Sequence, residues 1–124
     1  MTPLKTLTLA LLLLLTFQLS ANPATQIVDL KTDHLENPIG IDNPNPRLSW
    51  VINSDRKGFK QEAYQIIVDT DSGHVAHNRG GIWDSGITQS DAQLIVYNGA
   101  DLTPHTCYYW KVIVYDNDGN DIAS

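Results

Sequence analysis

Leu102-Thr103-Pro104-His105-Thr106-Cys107-Tyr108-Tyr109-Trp110-Lys111-Val112-Ile113-Val114-Tyr115 is the stretch that decides the fold. Pro104 fixes its own φ and restrains Thr103 before it, so the segment opens as a turn. From Cys107 onward the residues are β-branched or aromatic and alternate with period two, which predicts a strand over Cys107–Tyr115. Tyr108, Trp110, Val112 and Val114 share one face; Tyr109, Lys111, Ile113 and Tyr115 share the other. Asn117-Asp118-Gly119-Asn120 follows as a hairpin turn, because Asp-Gly and Gly-Asn supply the positive φ such turns need. The residues after it are too few for a return strand of ordinary length.

Upstream, the same grammar repeats. Thr25–Asp33 alternates loosely and reads as a first strand. Asn37-Pro38, Gly40, Asn43-Pro44 and Asn45-Pro46 form a stiff connection that cannot be helical. Arg47–Asn53 is a second strand, with Leu48, Trp50 and Ile52 on one face. Gln61–Asp69 is a third, with Tyr64, Ile66 and Val68 facing one way and Gln65, Ile67 and Asp69 the other. Asp71–Gly81, rich in Gly, His and Asn, reads as a loop, and Ile82–Gly86 as a short edge segment closed by a turn. Ala92–Tyr97 is a further strand in which Leu94 and Val96 share a face. No segment after residue 21 carries a sustained helical period, so the expected class is all-β, a β-sandwich of short strands.

The N-terminus has a different composition. Lys5 precedes an apolar run, Leu7–Leu19, that contains five consecutive leucines and ends in Ser20-Ala21. A basic n-region, an apolar core and a small-residue exit are the layout of a cleavable secretory signal, assigned to residues 1–21. The run is about 13 residues, short of the roughly 20 a membrane-spanning helix needs. Residues 22–124 are then one small domain, and the expected destination is periplasmic or extracellular. Cys107 is the single cysteine, so there is no lipid-attachment cysteine after the signal and no internal disulfide. A packed thiol is expected there. Loss of Lys5 leaves 7 basic against 14 acidic side chains, with no Lys/Arg cluster. That balance argues against nucleic acid and anionic membrane surfaces as partners.

Two resemblances sharpen the class. Leu102–Tyr108 followed by the Tyr-x-Trp-x-Val-x-Val alternation resembles the tyrosine corner and strand F of immunoglobulin-like and fibronectin type III domains. Trp50 falls where that pattern places its strand B tryptophan. The ordered set Asn37-Pro38-Ile39-Gly40-Ile41-Asp42, Pro46-Arg47-Leu48-Ser49-Trp50, Gln61-x-Ala63-Tyr64-Gln65-Ile66-x-Val68, Trp83-Asp84-Ser85-Gly86, Tyr97-x-Gly99-x-x-Leu102 and Tyr109-Trp110-Lys111-Val112 resembles the N-terminal fibronectin type III-like module of secreted bacterial α-L-rhamnosidases. The resemblance implies a non-catalytic accessory module whose partners are the neighbouring domains of a larger glycoside hydrolase. The catalytic carboxylates of that family lie in an (α/α)-barrel and hydrolyse terminal L-rhamnose with inversion. Nothing in this chain matches the barrel, so no catalytic residue is carried over. The resemblance also implies a module truncated at its C-terminus, lacking its last strand. The competing reading is a free-standing exported module that binds a glycan or a protein.

Chemistry-bearing residues are sparse. Asp84 beside Ser85 reads as a turn, since no histidine is placed by a motif to activate the serine. His74 and His77 are only two ligands, fewer than a zinc site takes, and His34 and His105 stand alone. Asp116–Asp121 resembles half a calcium loop but has Asp121 where glycine is needed. Tyr109, Tyr115 and Trp83 are candidates for a sugar-stacking surface. No catalytic, metal or cofactor-binding residue is assigned, and no cofactor is expected.

Overall fold

The computed structural model describes residues 25–124; the signal assigned to residues 1–21 lies outside the described residues. In chain order the elements are β1 (Thr25–Thr32), β2 (Arg47–Ser54), β3 (Gln61–Asp69), α1 (Ser72–Ala76), β4 (Trp83–Asp84), β5 (Thr88–Gln89), β6 (Leu94–Val96), β7 (Tyr109–Asp116) and β8 (Asp121–Ala123). They form two sheets. One has the order β1-β2-β6; the other has the order β4-β3-β7-β8, with β5 also on β3. Every pairing is antiparallel. This is the immunoglobulin-like sandwich expected from the alternating pattern.

The core lies between the sheets. Leu48 and Trp50 from β2 meet Tyr64, Ile66 and Val68 from β3 and Val112 and Val114 from β7, closed by Tyr97 just after β6. These are the inward sets read from β2, β3 and β7. β3 is buried on its other face too, where Ala63, Ile67 and Asp69 are covered, as the middle strand of its sheet. Leu94 and Val96 do share a face, but it is the solvent face; Ile95 and Tyr97 take the core side.

The loose alternation of β1 has a physical cause. Its register on β2 shifts between Val28 and Lys31, and Asp29 has φ 52°. A bulge adds one residue and reverses the alternation, so Ile27 and Leu30 both pack against the core although they are three apart.

Two local expectations are corrected. The loop Asp71–Gly81 contains the short helix α1, started by Asp71, whose carboxylate accepts from the N–H groups of Gly73 (2.7 Å) and His74 (3.2 Å). Cys107 is exposed, not packed: β7 begins two residues later, and Tyr108 takes the core side. After the hairpin the return strand is short, as the few residues there allow. β8 is three residues long and pairs Asp121 with Tyr115, Ile122 with Val114 and Ala123 with Ile113.

Candidate functional site

The sequence candidates divide between elements and do not converge. Ser85 Oγ accepts from the Ile66 N–H (2.8 Å) and donates to the Gly86 carbonyl (2.9 Å). Asp84 Oδ1 accepts from Gln65 Nε2 and from the Gly86 N–H, each at 2.9 Å. Trp83-Asp84-Ser85-Gly86 is therefore a turn that holds β4 against β3. Among the described residues the Ser85 hydroxyl is engaged by backbone and not by a base.

The histidines are likewise tied to backbone and turns. His74 Nδ1 lies 3.4 Å from Asp69 Oδ2, and its Nε2 lies 3.9 Å from Asp71 Oδ2. His77 Nδ1 lies 2.8 Å from the Gly73 carbonyl. His34 and His105 sit at positive φ, in turns. Among the described residues no three histidine, cysteine or acidic side chains are grouped to hold a metal.

The half calcium loop has a protein cation in it. Arg56 Nη1 lies 3.0 Å from Asp116 Oδ2 and 3.2 Å from Asp118 Oδ2, and Nη2 donates to Asn117 Oδ1 at 3.1 Å. The other oxygen, Asp116 Oδ1, accepts from the N–H groups of Asp118 and Asn120, each at 2.9 Å. Asn117 completes the staple, with Nδ2 on the Gly58 carbonyl (2.9 Å) and Oδ1 on the Lys60 N–H (3.2 Å). The cluster ties the β2–β3 turn to the β7–β8 hairpin. The planar guanidinium suits this fork of oxygens better than a point charge does.

Two buried carboxylates follow from these contacts. N–H donation from Gly81 and Asp71 holds the Asp69 carboxyl below its usual range, against the effect of burial, and His74 adds to the lowering. Burial would raise Asp116, but the N–H groups of Asn120 and Asp118 and the Arg56 charge outweigh it, and the carboxyl is held low. A carboxyl lower in the folded than in the unfolded chain binds fewer protons when folded. Its stabilisation is complete above the unfolded value near 3.8 and drains away as pH falls below it. The urea midpoint is therefore expected to hold steady from neutral pH down to about 5 and to fall steeply below about 4. Asp116→Asn should flatten that acid limb; an unchanged limb would show that the staple does not carry it.

The aromatic candidates do not form one platform. Trp83 packs against the core and meets Tyr97 edge-on, with centroids 5.2 Å apart. The Tyr115 hydroxyl donates to Gln65 Oε1 (3.2 Å), while Tyr109 is 43% exposed. Two open clefts, of about 450 and 560 Å³, flank the sandwich. The first runs over Arg56, Phe59 and Gln61, with the Arg56 guanidinium and the Gln61 amide already engaged.

The tyrosine corner is present. The Tyr108 hydroxyl accepts from the Thr103 N–H (2.8 Å) and lies 3.1 Å from Thr103 Oγ1, which pins the β6–β7 connection. Other structural roles had no legible signal. Gln61 is buried at a strand start, and Arg56 looked like one more charge in a turn. A Gln that opens an apolar strand and an Arg whose partners lie about sixty residues away are visible only once the sheets are assembled.

A family model described as the Rha78A-like N-terminal immunoglobulin domain matches residues 27–124. The chain is similar to an alpha-L-rhamnosidase of Streptomyces avermitilis, 36% identical over 97 residues that make up 77% of this chain and 9% of that protein. Among solved structures it is similar to alpha-L-rhamnosidase from Dictyoglumus thermophilum, with a TM-score of 0.76 and 37% identity over 80% of this chain and 11% of that one. Against Streptomyces avermitilis alpha-L-rhamnosidase complexed with L-rhamnose the TM-score is 0.75, at 35% identity over 82% of this chain and 10% of that one. The chain spans about a tenth of the length of these relatives. Several residues of the motifs read from the sequence are core and turn residues: Leu48, Trp50, Tyr64, Ile66, Tyr97 and the Trp83–Gly86 turn.

Proposed function

The chain belongs to the family of Rha78A-like N-terminal immunoglobulin domains, and from that membership we propose that it is the non-catalytic front module of an exported α-L-rhamnosidase, one that removes terminal L-rhamnose from glycans. One observation carries the reading. The match covers residues 27–124 here but only about a tenth of each rhamnosidase relative, so the likeness is to one module of a much larger chain. The chemistry-bearing motifs fit this reading: Ser85, Asp84, Asp116 and Arg56 are engaged in holding turns together.

In this reading the module works by packing. It is a prefolded sandwich that neighbouring domains of the parent chain lean on, and inter-domain surfaces of this kind are modest in area and partly polar. Export of the parent is supported by Lys5, the run Leu7–Leu19 and the exit Ser20-Ala21. A mature protein starting at Asn22 in the periplasm or medium would carry that part of the proposal.

The test is a chimera. Residues 25–124 replace the matching module of the Streptomyces avermitilis enzyme, and a deletion variant of that enzyme lacks the module altogether. The chimera is expected to stay soluble and to release p-nitrophenol from the aryl α-L-rhamnoside, while the deletion loses stability or activity. A chimera no better than the deletion would overturn the proposal. So would release of p-nitrophenol by this chain alone.

A further inference from the structure

β6 lies at the edge of its sheet. Among the described residues its strand neighbour is β2, with Arg47 opposite Val96, Leu48 opposite Ile95 and Ser49 opposite Leu94. The Tyr97 N–H donates to the Pro46 carbonyl (2.8 Å), and the Gln93 carbonyl accepts from the Trp50 N–H (3.2 Å). Gln93 and Tyr97 therefore bond toward β2. The bonding side alternates along an antiparallel strand, so Ile95 bonds toward β2 as well, and Leu94 and Val96 bond away from it. Their N–H and C=O groups point off the sheet edge, where no strand meets them among the described residues. Their side chains are uncovered too: Leu94 is 47% and Val96 56% exposed.

An edge of this kind is a template for pairing, and proteins blunt such edges with charge, proline, bulges or brevity. Here β1 carries the bulge at Asp29, and β4 and β5 are two residues each, parted by Gly86 at φ 65°. β6 has neither charge nor proline to guard it: Ala92-Gln93-Leu94-Ile95-Val96-Tyr97-Asn98-Gly99-Ala100 contains none of either. On the outer face, Arg47, Ser49 and Val51 of β2 stand beside Leu94 and Val96, again without a carboxylate. In a chain of net charge −6, this is a place where a second acidic molecule meets little repulsion.

We propose that the β6 edge is a self-association surface, and that its occupant is β6 of a second copy of this chain. The edge is complementary to itself. A two-fold axis through Ile95 sets Leu94 of each copy opposite Val96 of the other. Both residues bond away from β2, so each such pair exchanges both of its backbone hydrogen bonds. Directly opposed residues share a face, so Leu94 and Val96 of the two copies gather at the centre of the joint, and the two Arg47 side chains fall in different rows. The β1-β2-β6 sheets of the two copies become one continuous sheet. The contact is small beside a standard interface, so it forms at about 0.1–1 mM rather than at micromolar concentration. This inference goes beyond the proposed function and does not depend on it.

The experiment follows sedimentation of the chain freed of residues 1–21, whose apolar run would associate by itself, from about 10 µM to about 1 mM. Monomer is expected at the low end and a rising dimer fraction at the high end. Raising NaCl from about 50 to about 500 mM should strengthen the dimer, because both copies are acidic. At the high concentration, amide exchange should slow by about threefold or more at Leu94 and Val96, and much less at Ile95, which already bonds to β2. Val96→Lys puts a charge at the joint, and Val96→Pro removes a donor that β2 does not use. Both should weaken association by about tenfold or more, with the circular dichroism of the folded chain retained. Val51→Lys alters the same face one strand away from the edge and should change association by about threefold at most. The proposal is overturned if the chain stays monomeric at the high concentration, or if association survives both changes at Val96. It is overturned equally if Val51→Lys abolishes association as Val96→Lys does, which would mean that sheet faces stack. A monomeric chain whose rhamnosidase chimera loses activity on Val96→Lys would give the edge to a neighbouring domain and would overturn it as well.

Discussion

Trp50→Ala is expected to remove about 3–5 kcal/mol of stability, the range for deleting a large buried aromatic side chain. Trp50 is 2% exposed and lies in the core between the sheets. Its ring meets Tyr64 of β3 at a centroid distance of 5.8 Å and a tilt of 55°. Its Nε1–H donates to Gln61 Oε1 (3.2 Å), and Gln61 Nε2 in turn donates to the carbonyls of Ser90 (3.0 Å) and Ala92 (2.8 Å). One side chain therefore joins the two sheets and, through Gln61, the β5–β6 connection. Alanine leaves both a cavity and a buried amide oxygen without its donor, and an orphaned acceptor adds its own desolvation cost. A domain of this size has about 5–15 kcal/mol in all, so the loss is a large share of it. Each kcal/mol moves the melting temperature of such a domain by about 4–8 °C. A fall of at least about 12 °C, followed by circular dichroism, is thus the expected reading. Trp50→Phe keeps most of the bulk and loses only the donor, so its fall should be less than half as large. A drop of a few degrees for Trp50→Ala would mean that the sheets are held together elsewhere.

Trp50 also shows why the fold was legible. Period-two alternation reports which side of a strand meets the core, and β2, β3 and β7 each carry it over eight or nine residues. The same rule fails where strands are short or bulged. β5 is two residues long and offers no period at all. The added residue at Asp29 breaks the pattern of β1 in the middle. β6 misleads in another way: Leu94 and Val96 are the apolar pair that catches the eye, yet Ile95 and Tyr97 face inward. Their orientation is set by pairing with Arg47–Ser49, which no reading of β6 alone contains. α1 is too short to show a helical period; its only signal is Asp71 as a cap.

The candidate chemistry was legible mainly as turn chemistry. Asp84 and Asp116 are turn formers because their short polar side chains bond to nearby backbone, Asp84 to the Gly86 N–H and Asp116 to the Asp118 and Asn120 N–H groups. What the residues did not disclose are long-range partnerships, such as Arg56 with Asp116 and Gln61 with Trp50. These depend on two strands arriving side by side. Cys107 failed for a related reason. Its apolar character suggested burial, but it lies just ahead of the point where β7 begins, and there nothing covers it.

Gly99→Ala is expected to cost about 3 kcal/mol, because overpacking and a lost hydrogen bond act together. A Cβ at residue 99 would collide with Trp83 Cβ and stand 2.7 Å from Trp83 Cγ and 2.6 Å from the Tyr97 hydroxyl. Relief would have to come from one of those neighbours. Trp83 cannot swing away, because the contact is at its Cβ, beside a backbone paired to Val68. The flanking Ile82 N–H is bonded to the Val68 carbonyl, and the Ile82 carbonyl to the Ala100 N–H. Tyr97 is 2% exposed, and its hydroxyl donates to the Ala100 carbonyl, so moving it breaks that bond and disturbs the edge-on contact with Trp83. Gly119→Ala is the control. Its surroundings are open and its only penalty is the left-handed backbone at φ 80°, about 1 kcal/mol. Urea unfolding of the two variants separates the mechanisms. Gly99→Ala should lower the midpoint about three times as far, with a changed near-ultraviolet tryptophan signal, and Gly119→Ala should leave that signal intact. Equal losses would mean that Trp83 and Tyr97 are free to move apart, and that the Tyr-x-Gly spacing at residues 97–99 does not serve close packing against β4.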